Sequence, residues 1–147
     1  MPIQQYPDHA TQAEIDAQKK KKKTTYSFTY DFAVNGGAIG TIVLTANNGA
    51  LPSDFIVQNC FLDVITVLDS GGSATAAITT GQSASDLVTA TAFGSAPYST
   101  TGSKVTVPLI GTIATWIKTT AARSPAIVVA TAALTGGKIN LFIEGYV

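Results

Sequence analysis

Reactive side chains and charge are scarce in this chain of 147 residues, and each shortage closes off a class of function. Cys60 is the only cysteine, so no internal disulfide is possible. It lies in the apolar run VQNCFLDV and reads as a small buried hydrophobe, with a reactive thiol as the alternative. His9 is the only histidine. A hydrolytic triad needs a histidine fixed beside its nucleophile, and a zinc site needs three or four ligands of the histidine, cysteine or carboxylate kind. One histidine in a polar N-terminal stretch and one cysteine in an apolar run supply neither, so no catalytic residue, no metal site and no cofactor are expected. Asp63 and Asp69 are six residues apart on one long apolar segment. At about 3.3 Å per strand residue they stand roughly 20 Å apart, too far for an acid–base pair. Asp54, Asp69 and Asp86 fall near turns but lack the spacing of a calcium loop. GGAIG, residues 36–40, lacks the GK[ST] of a phosphate loop and has β-like sequence on both sides. No run approaches the roughly 20 apolar residues of a membrane span, and the first fifteen residues carry no apolar core of a secretory signal. The expected protein has no membrane partner and is made in the cytoplasm.

What is present is small and neutral. Apolar residues make up 46% and charged residues only 12%, against about 25% charge in a typical globular protein. Alanine, threonine, glycine and serine fill the gap. A free monomer normally stays soluble with a mixed charged surface, whereas a Thr/Ala/Ser surface suits close packing against neighbours, so the sequence points to self-association through a Thr/Ala/Val face of the sandwich. The length fits one domain that can bury a real core. Net charge is zero but unevenly spread. Residues 1–25 carry five lysines against Asp8, Glu14 and Asp16, a balance of +2. Residues 26–147 carry Lys104, Lys118, Arg123 and Lys138 against Asp31, Asp54, Asp63, Asp69, Asp86 and Glu144, a balance of −2. An acidic-leaning body argues against nucleic acid as the partner, and together with a basic arm it can attract its own copies.

The chain divides into an N-terminal arm, 1–24, and a β domain, 25–147. MPIQQYPDH has two prolines and no periodicity. TQAE, residues 11–14, matches a capping box, which permits a short helix over 12–22, too short to persist alone. The arm is expected to be unstructured when free and ordered by a partner. From Tyr26 the texture is β. Tyr26, Phe28, Tyr30, Phe32 and Val34 alternate with smaller residues, the pattern of a half-buried strand. Asn35-Gly36-Gly37 predicts a tight hairpin into a second strand, 38–46. Residues 55–69 are long for one strand, and their apolar phase slips near Cys60-Phe61, which predicts a bulge or bend handing the chain between two sheets. Residues 74–80 form a small-residue strand. Residues 83–94 read either as a short helix or as a loop with a strand piece. Residues 104–110 form a strand that Pro108 confines to an edge or a strand end, and 112–120 form another. Segments 126–134 and 138–147 predict a closing hairpin across Thr135-Gly136-Gly137. The fold class is all-β: an antiparallel β-sandwich or jelly roll of about eight strands with an extended N-terminal arm.

Two features invite binding readings. The aromatics Tyr26, Phe28, Tyr30 and Phe32 beside lysines resemble a base-stacking platform, but in a strand such alternation reads as core. Trp116, between Ile113 and Ile117, reads as a core anchor, with ligand stacking against a sugar as the alternative. The block Lys19, Lys20, Lys21, Lys22 and Lys23 has three readings: a solvated linker, an electrostatic tether to an acidic partner, or a nucleic-acid contact with steep salt dependence.

Over residues 32–147 the chain resembles small virion proteins of tailed bacteriophages. The resemblance rests on Leu51, Pro52, Ile56, Asp63, Val64, Thr66, Ser70, Gly71 and Gly72, then on residues 130–134, Gly136, Gly137, Lys138 and Tyr146. These residues mark turns and core, not a reactive site, and the arm is not covered. The resemblance implies a β-sandwich without catalysis that acts as a capsid cement or decoration protein on the virion surface. It implies a homo-oligomer, with a trimer favoured, bound to the major capsid protein at the joints between capsid subunits. The alternative is a carbohydrate- or host-binding β module of a phage fibre or tail.

Overall fold

The structure, a computed structural model, describes residues 22–107 and 117–147. In chain order the elements are β1 (Lys23–Asp31), a single helical turn α1 (Phe32–Asn35), β2 (Gly40–Val43), β3 (Thr45–Ala46), β4 (Ile56–Ser70), β5 (Thr75–Thr79), β6 (Val88–Ala92), β7 (Gly102–Val107), β8 (Ala126–Ala130) and β9 (Leu134–Tyr146). Among the described residues these nine strands form a five-stranded sheet, β3-β1-β9-β4-β7, and a four-stranded sheet, β2-β8-β5-β6, with antiparallel pairing throughout. The all-β sandwich expected from the strand pattern is the fold observed.

Period-two alternation builds the core between the sheets. Phe28 and Tyr30 of β1, Cys60, Leu62 and Val64 of β4, and Ile139, Leu141 and Ile143 of β9 face inward and are fully or almost fully buried. They meet Ala76 and Ile78 of β5 and Ile127 and Val129 of β8 in one cluster. Burial of each large apolar side chain is worth about 1.5–3 kcal/mol. Tyr26 packs edge-on against the buried Phe55, with ring centroids 5.3 Å apart and planes at 89°. The aromatic face of β1 is therefore core and offers no stacking platform. The Tyr30 hydroxyl donates to the Gly36 carbonyl at 2.8 Å, and burial pushes its pKa up to about 12.

The structure corrects several expectations. Alternation through Val34 does not continue the strand. Asp31 instead caps a helical turn by accepting from the Ala33 N–H at 3.0 Å, and Gly36 at φ 70° ends it. Strands β1 and β2 then lie in different sheets, so they form no hairpin. The segment 38–46 is two strands, β2 and β3, which cross between sheets at the buried Leu44. The closing hairpin is also absent. β8 and β9 belong to different sheets, joined through a turn with Thr131 at φ 75°, and Gly136 and Gly137 lie inside β9, which runs along β4. A slip does occur at Cys60/Phe61, against β7, as the apolar phase predicts. It does not pass the chain to the other sheet: β4 remains one strand of fifteen residues, with further register slips against β9. Segment 83–94 is a loop followed by β6, with no helix. Of the strand expected at 112–120, the described part holds an isolated bridge between Lys118 and Ile56. The expected arm helix, Pro108 and the rest of that strand lie outside the described residues.

The edges of the five-stranded sheet are blunted. β7 is an edge strand, as expected. It carries Lys104, whose Nζ donates to the carbonyls of Thr100 and Gly102 at 2.6 and 3.0 Å, placing a cation on an edge where another strand would otherwise pair. At the opposite edge β3 covers only two residues of β1. The Asn48 side chain covers more: its Oδ1 accepts from the Ser27 N–H and its Nδ2 donates to the Thr25 carbonyl, both at 2.8 Å. One side-chain amide thus does the work of a neighbouring peptide. Asn48→Ala is expected to lower stability by about 1 kcal/mol and to speed amide exchange at Ser27, read by chemical denaturation and hydrogen exchange. Unchanged exchange there would show that water replaces the amide without loss.

Candidate docking surface

The lysine block straddles the boundary between arm and domain. Lys19, Lys20 and Lys21 lie outside the described residues, as does Trp116. Lys22 is exposed just before the first strand. Lys23 already belongs to β1, two residues inside the expected arm. Its ammonium pairs with Glu144 on β9 at 3.0 Å, and Asn59 Nδ2 donates to the same carboxylate at 3.4 Å. The Lys23 hydrogen bond holds the Glu144 carboxyl below its ordinary range. At the other end of the same ladder Lys138 pairs with Asp31 at 3.0 Å, and that contact, with the Ala33 N–H, lowers Asp31 likewise. Lys118 pairs with Asp54 at 2.9 Å and lowers it in the same way. All three pairs are largely solvated, so each stabilises little.

The two outer faces of the sandwich differ in chemistry. On the four-stranded sheet, register places Thr41 and Val43 of β2, Ala126, Val128 and Ala130 of β8, and Thr75, Ala77 and Thr79 of β5 on the outward side. None is ionisable. Ala77, Thr79 and Ala126 in this row are themselves buried, so the open part of the face is Thr41, Val43, Thr75, Val128 and Ala130.

The outer face of the five-stranded sheet is mixed. Because Leu62, Val64, Leu141 and Ile143 point inward, Phe61 and Phe142 point outward, directly opposite one another in the register. Val105 of β7 stands beside Phe61 and is 66% exposed. Further along β4, between the buried Val64 and Leu68, Ile65 is 47% exposed and Val67 is also exposed. Polar rows flank the centre formed by Phe61, Phe142 and Val105, and one of them separates it from Ile65 and Val67. On one side lies Thr25-Glu144-Asn59, and on the other Thr29-Asn140-Asp63-Ser103. Ser103 Oγ donates to Asp63 at 3.1 Å, and Thr29 Oγ1 donates to Asn140 at 2.9 Å. An apolar centre with a polar surround is the anatomy of a protein interface.

Sequence reasoning rejects Asp63 and Asp69 as an acid–base pair and assigns no role to Phe61, Phe142 or Val105. The outward direction of Phe61 was readable from the apolar phase slip, but its neighbours across the sheet were not. Cys60 is buried. Among the described residues, no three histidine, cysteine or carboxylate side chains stand together to hold a metal ion.

Neither a protein-family model nor a curated protein matches the chain. Solved structures share its fold. The chain is similar to one in the acidic stable capsid structure of Helicobacter pylori bacteriophage KHP30, at 12% identity and a TM-score of 0.56, covering 85% of this chain and 87% of that one. It is similar to another in the cyanophage Pam1 capsid asymmetric unit, at 19% identity and a TM-score of 0.57, covering 99% of this chain and 94% of that one. At these identities the likeness is one of fold, and it extends over nearly the whole of each chain.

Proposed function

We propose, from that shared fold, that the protein is a non-enzymatic structural component of a phage virion, a cement or decoration protein that binds the assembled head lattice. The observation that carries this reading is the near full-length similarity of fold to chains drawn from two phage capsid structures. The surface chemistry supports it: one sandwich face without ionisable side chains, a second with an apolar centre, and blunted edges of the five-stranded sheet that favour face-to-face over edge-to-edge assembly. In this reading the protein self-associates through the Thr/Ala/Val face, and its N-terminal residues drape over a neighbouring subunit, where the lysines meet carboxylates.

The stabilising mechanism is mass action. A partner that binds the assembled lattice but not the free subunits stabilises it by RT ln(1 + [L]/Kd) per site, about 2.7 kcal/mol at a hundredfold excess over Kd. A segment ordered only on binding loses entropy, yet lets a small domain cover a wide surface.

The test follows from where β1 begins. Deleting residues 1–22 removes the arm and spares Lys23, so the truncated domain is expected to fold with an unchanged unfolding midpoint and to lose uptake by purified capsids. Electron microscopy of labelled virions reads the uptake and places the protein on head, neck or tail. Undiminished decoration by the truncated protein would end the tether reading, and a location away from the head would end the cement reading.

A further inference from the structure

Among the described residues, the body carboxylates fall into two groups. Asp31, Asp54 and Glu144 each have a lysine within 3.0 Å, and Asp86 is engaged by Thr80. Asp63 and Asp69 have neither. Asp63 accepts from the Ser103 hydroxyl and Asp69 from the Ser70 N–H, and no lysine or arginine pairs with them among the described residues. Both lie on β4, outward of the buried Leu62, Val64 and Leu68. Between and beside them stand the exposed Ile65, Val67 and Val105. This strip is therefore apolar with two carboxylates that form no ion pair, the nearby Lys138, opposite Thr66 on β9, being taken up by Asp31. A segment of consecutive lysines complements it on both counts: the ammonium groups meet the carboxylates, while the aliphatic stems cover the apolar side chains.

The chain's own block cannot supply lysines to both carboxylates, because Asp69 lies beyond its reach. Register places Lys23, Tyr146 and Ile56 in one row across the sheet, and Thr29, Asn140 and Asp63 in another. Six strand residues separate the rows along β1, about 20 Å, and β1 lies two strands from β4, another 10 Å across. Lys19 is four residues from Lys23, at most about 14 Å of extended chain, which even with its side chain outstretched barely spans the distance to Asp63. Asp69 is further still: its partner Gly136 lies ten residues along β9 from Tyr146, about 33 Å.

We infer that the β4 strip carrying Asp63, Ile65, Val67 and Asp69 receives the lysines at 19–22 of a second copy of this chain. This rests on the reading of the arm as a tether and names the subunit it reaches. Donor and acceptor surfaces differ, so the contact is head-to-tail and either closes into a ring or continues as an open array. A ring of this kind is how an arm contact would produce the cyclic homo-oligomer.

The test uses the full chain. Equal amounts of 14N- and 15N-labelled protein are mixed and treated with a carbodiimide, which joins an ammonium to a carboxylate in direct contact. Mass spectrometry is expected to find mixed-isotope links from Lys19–Lys22 peptides to Asp63 or Asp69, lost at about 0.5 M salt, where the screening length falls to a few ångström. Asp63→Asn with Asp69→Asn is expected to weaken self-association about tenfold at low salt by sedimentation, with an unchanged unfolding midpoint because both sites face solvent. Links confined to one isotope, links that avoid both aspartates, or undiminished association of the double variant would each overturn the inference. If deletion of residues 1–22 leaves capsid uptake intact, the tether reading fails as well. If that deletion abolishes uptake while the double variant associates normally, only the receiving strip is wrong.

Discussion

Gly145→Ala is expected to cost about 3–5 kcal/mol, a large share of the roughly 5–15 kcal/mol that holds a domain folded. Gly145 is buried in β9 opposite Val57 of β4 and Thr24 of β1. A Cβ there would fall 2.0 Å from the Ile56 carbonyl oxygen and 2.7 Å from Cζ of Phe55. Neither neighbour can yield cheaply. The carbonyl is backbone at the start of β4, and the Phe55 ring is fully buried beneath Tyr26. The substitution must therefore part β9 from β4, the central pair of the five-stranded sheet. Urea titration should show the loss as a lower midpoint, and heating as a fall of roughly 10 °C for a domain of this size. Gly136→Ala is the control. It lies on the same strand, and its nearest neighbour is Asp69 Cβ at 4.0 Å, so its midpoint should stay close to that of the native chain. A loss at Gly145 below about 1 kcal/mol would show that the strands relax around a methyl group, against the close packing expected of a core.

Asp86→Ala is expected to cost about 2–4 kcal/mol, because it leaves buried donors without partners. The Asp86 carboxylate accepts from the Thr80 N–H at 2.7 Å, from the Thr80 hydroxyl at 2.5 Å and from the Ser83 N–H at 3.4 Å. Thr80 is fully buried, so water cannot take over these bonds without opening the loop. The loss should spread. Gln82 in the same loop accepts from the Thr120 N–H at 3.2 Å and from Arg123 Nε at 3.1 Å, and Arg123 bridges Leu51. One carboxylate thus orders a loop that holds the 120–123 segment against the body. Faster amide exchange at Thr80 and Ser83, together with a lower denaturation midpoint, is the expected result. Asp86→Asn, which keeps one acceptor oxygen, should fall between. An Asp86→Ala protein as stable as the native chain would show that the loop contributes nothing to folding.

Asp86 shows why such a role escapes sequence reading. Its neighbours in sequence, SASDLV, read as a helix start or a loop, and nothing local says that its carboxylate closes on Thr80 six residues earlier. Asn48 is a similar case. NNG reads correctly as a turn, but the use of that amide as a surrogate peptide for β1 depends on residues 21 and 23 positions away. The Gly-Gly pairs misled for the opposite reason. Gly36 does end a segment, though a helical turn and not a strand, and Gly136-Gly137 does mark a special backbone. The second pair is there because Gly137, at φ 121°, lies where a Cβ would meet Leu68 at 2.5 Å. Close approach to β4 selects glycine there just as a hairpin turn would, and the sequence does not distinguish the two.

What could be read along the chain alone was what depends on a few consecutive residues: strands rather than helices, the inward Phe28 and Tyr30 of β1, the slip at Cys60/Phe61, and the clustering of lysines ahead of an acidic-leaning body. Side-chain alternation and backbone sterics act over two or three residues, so they are written locally. Which strands pair, which sheet each joins, and which outward residues become neighbours depend on contacts between positions as distant as Asp31 and Lys138. Those partners are chosen by burying both sheets against one another at once, and the strip of Phe61, Val105, Asp63 and Ile65 exists as a surface only after that choice has been made.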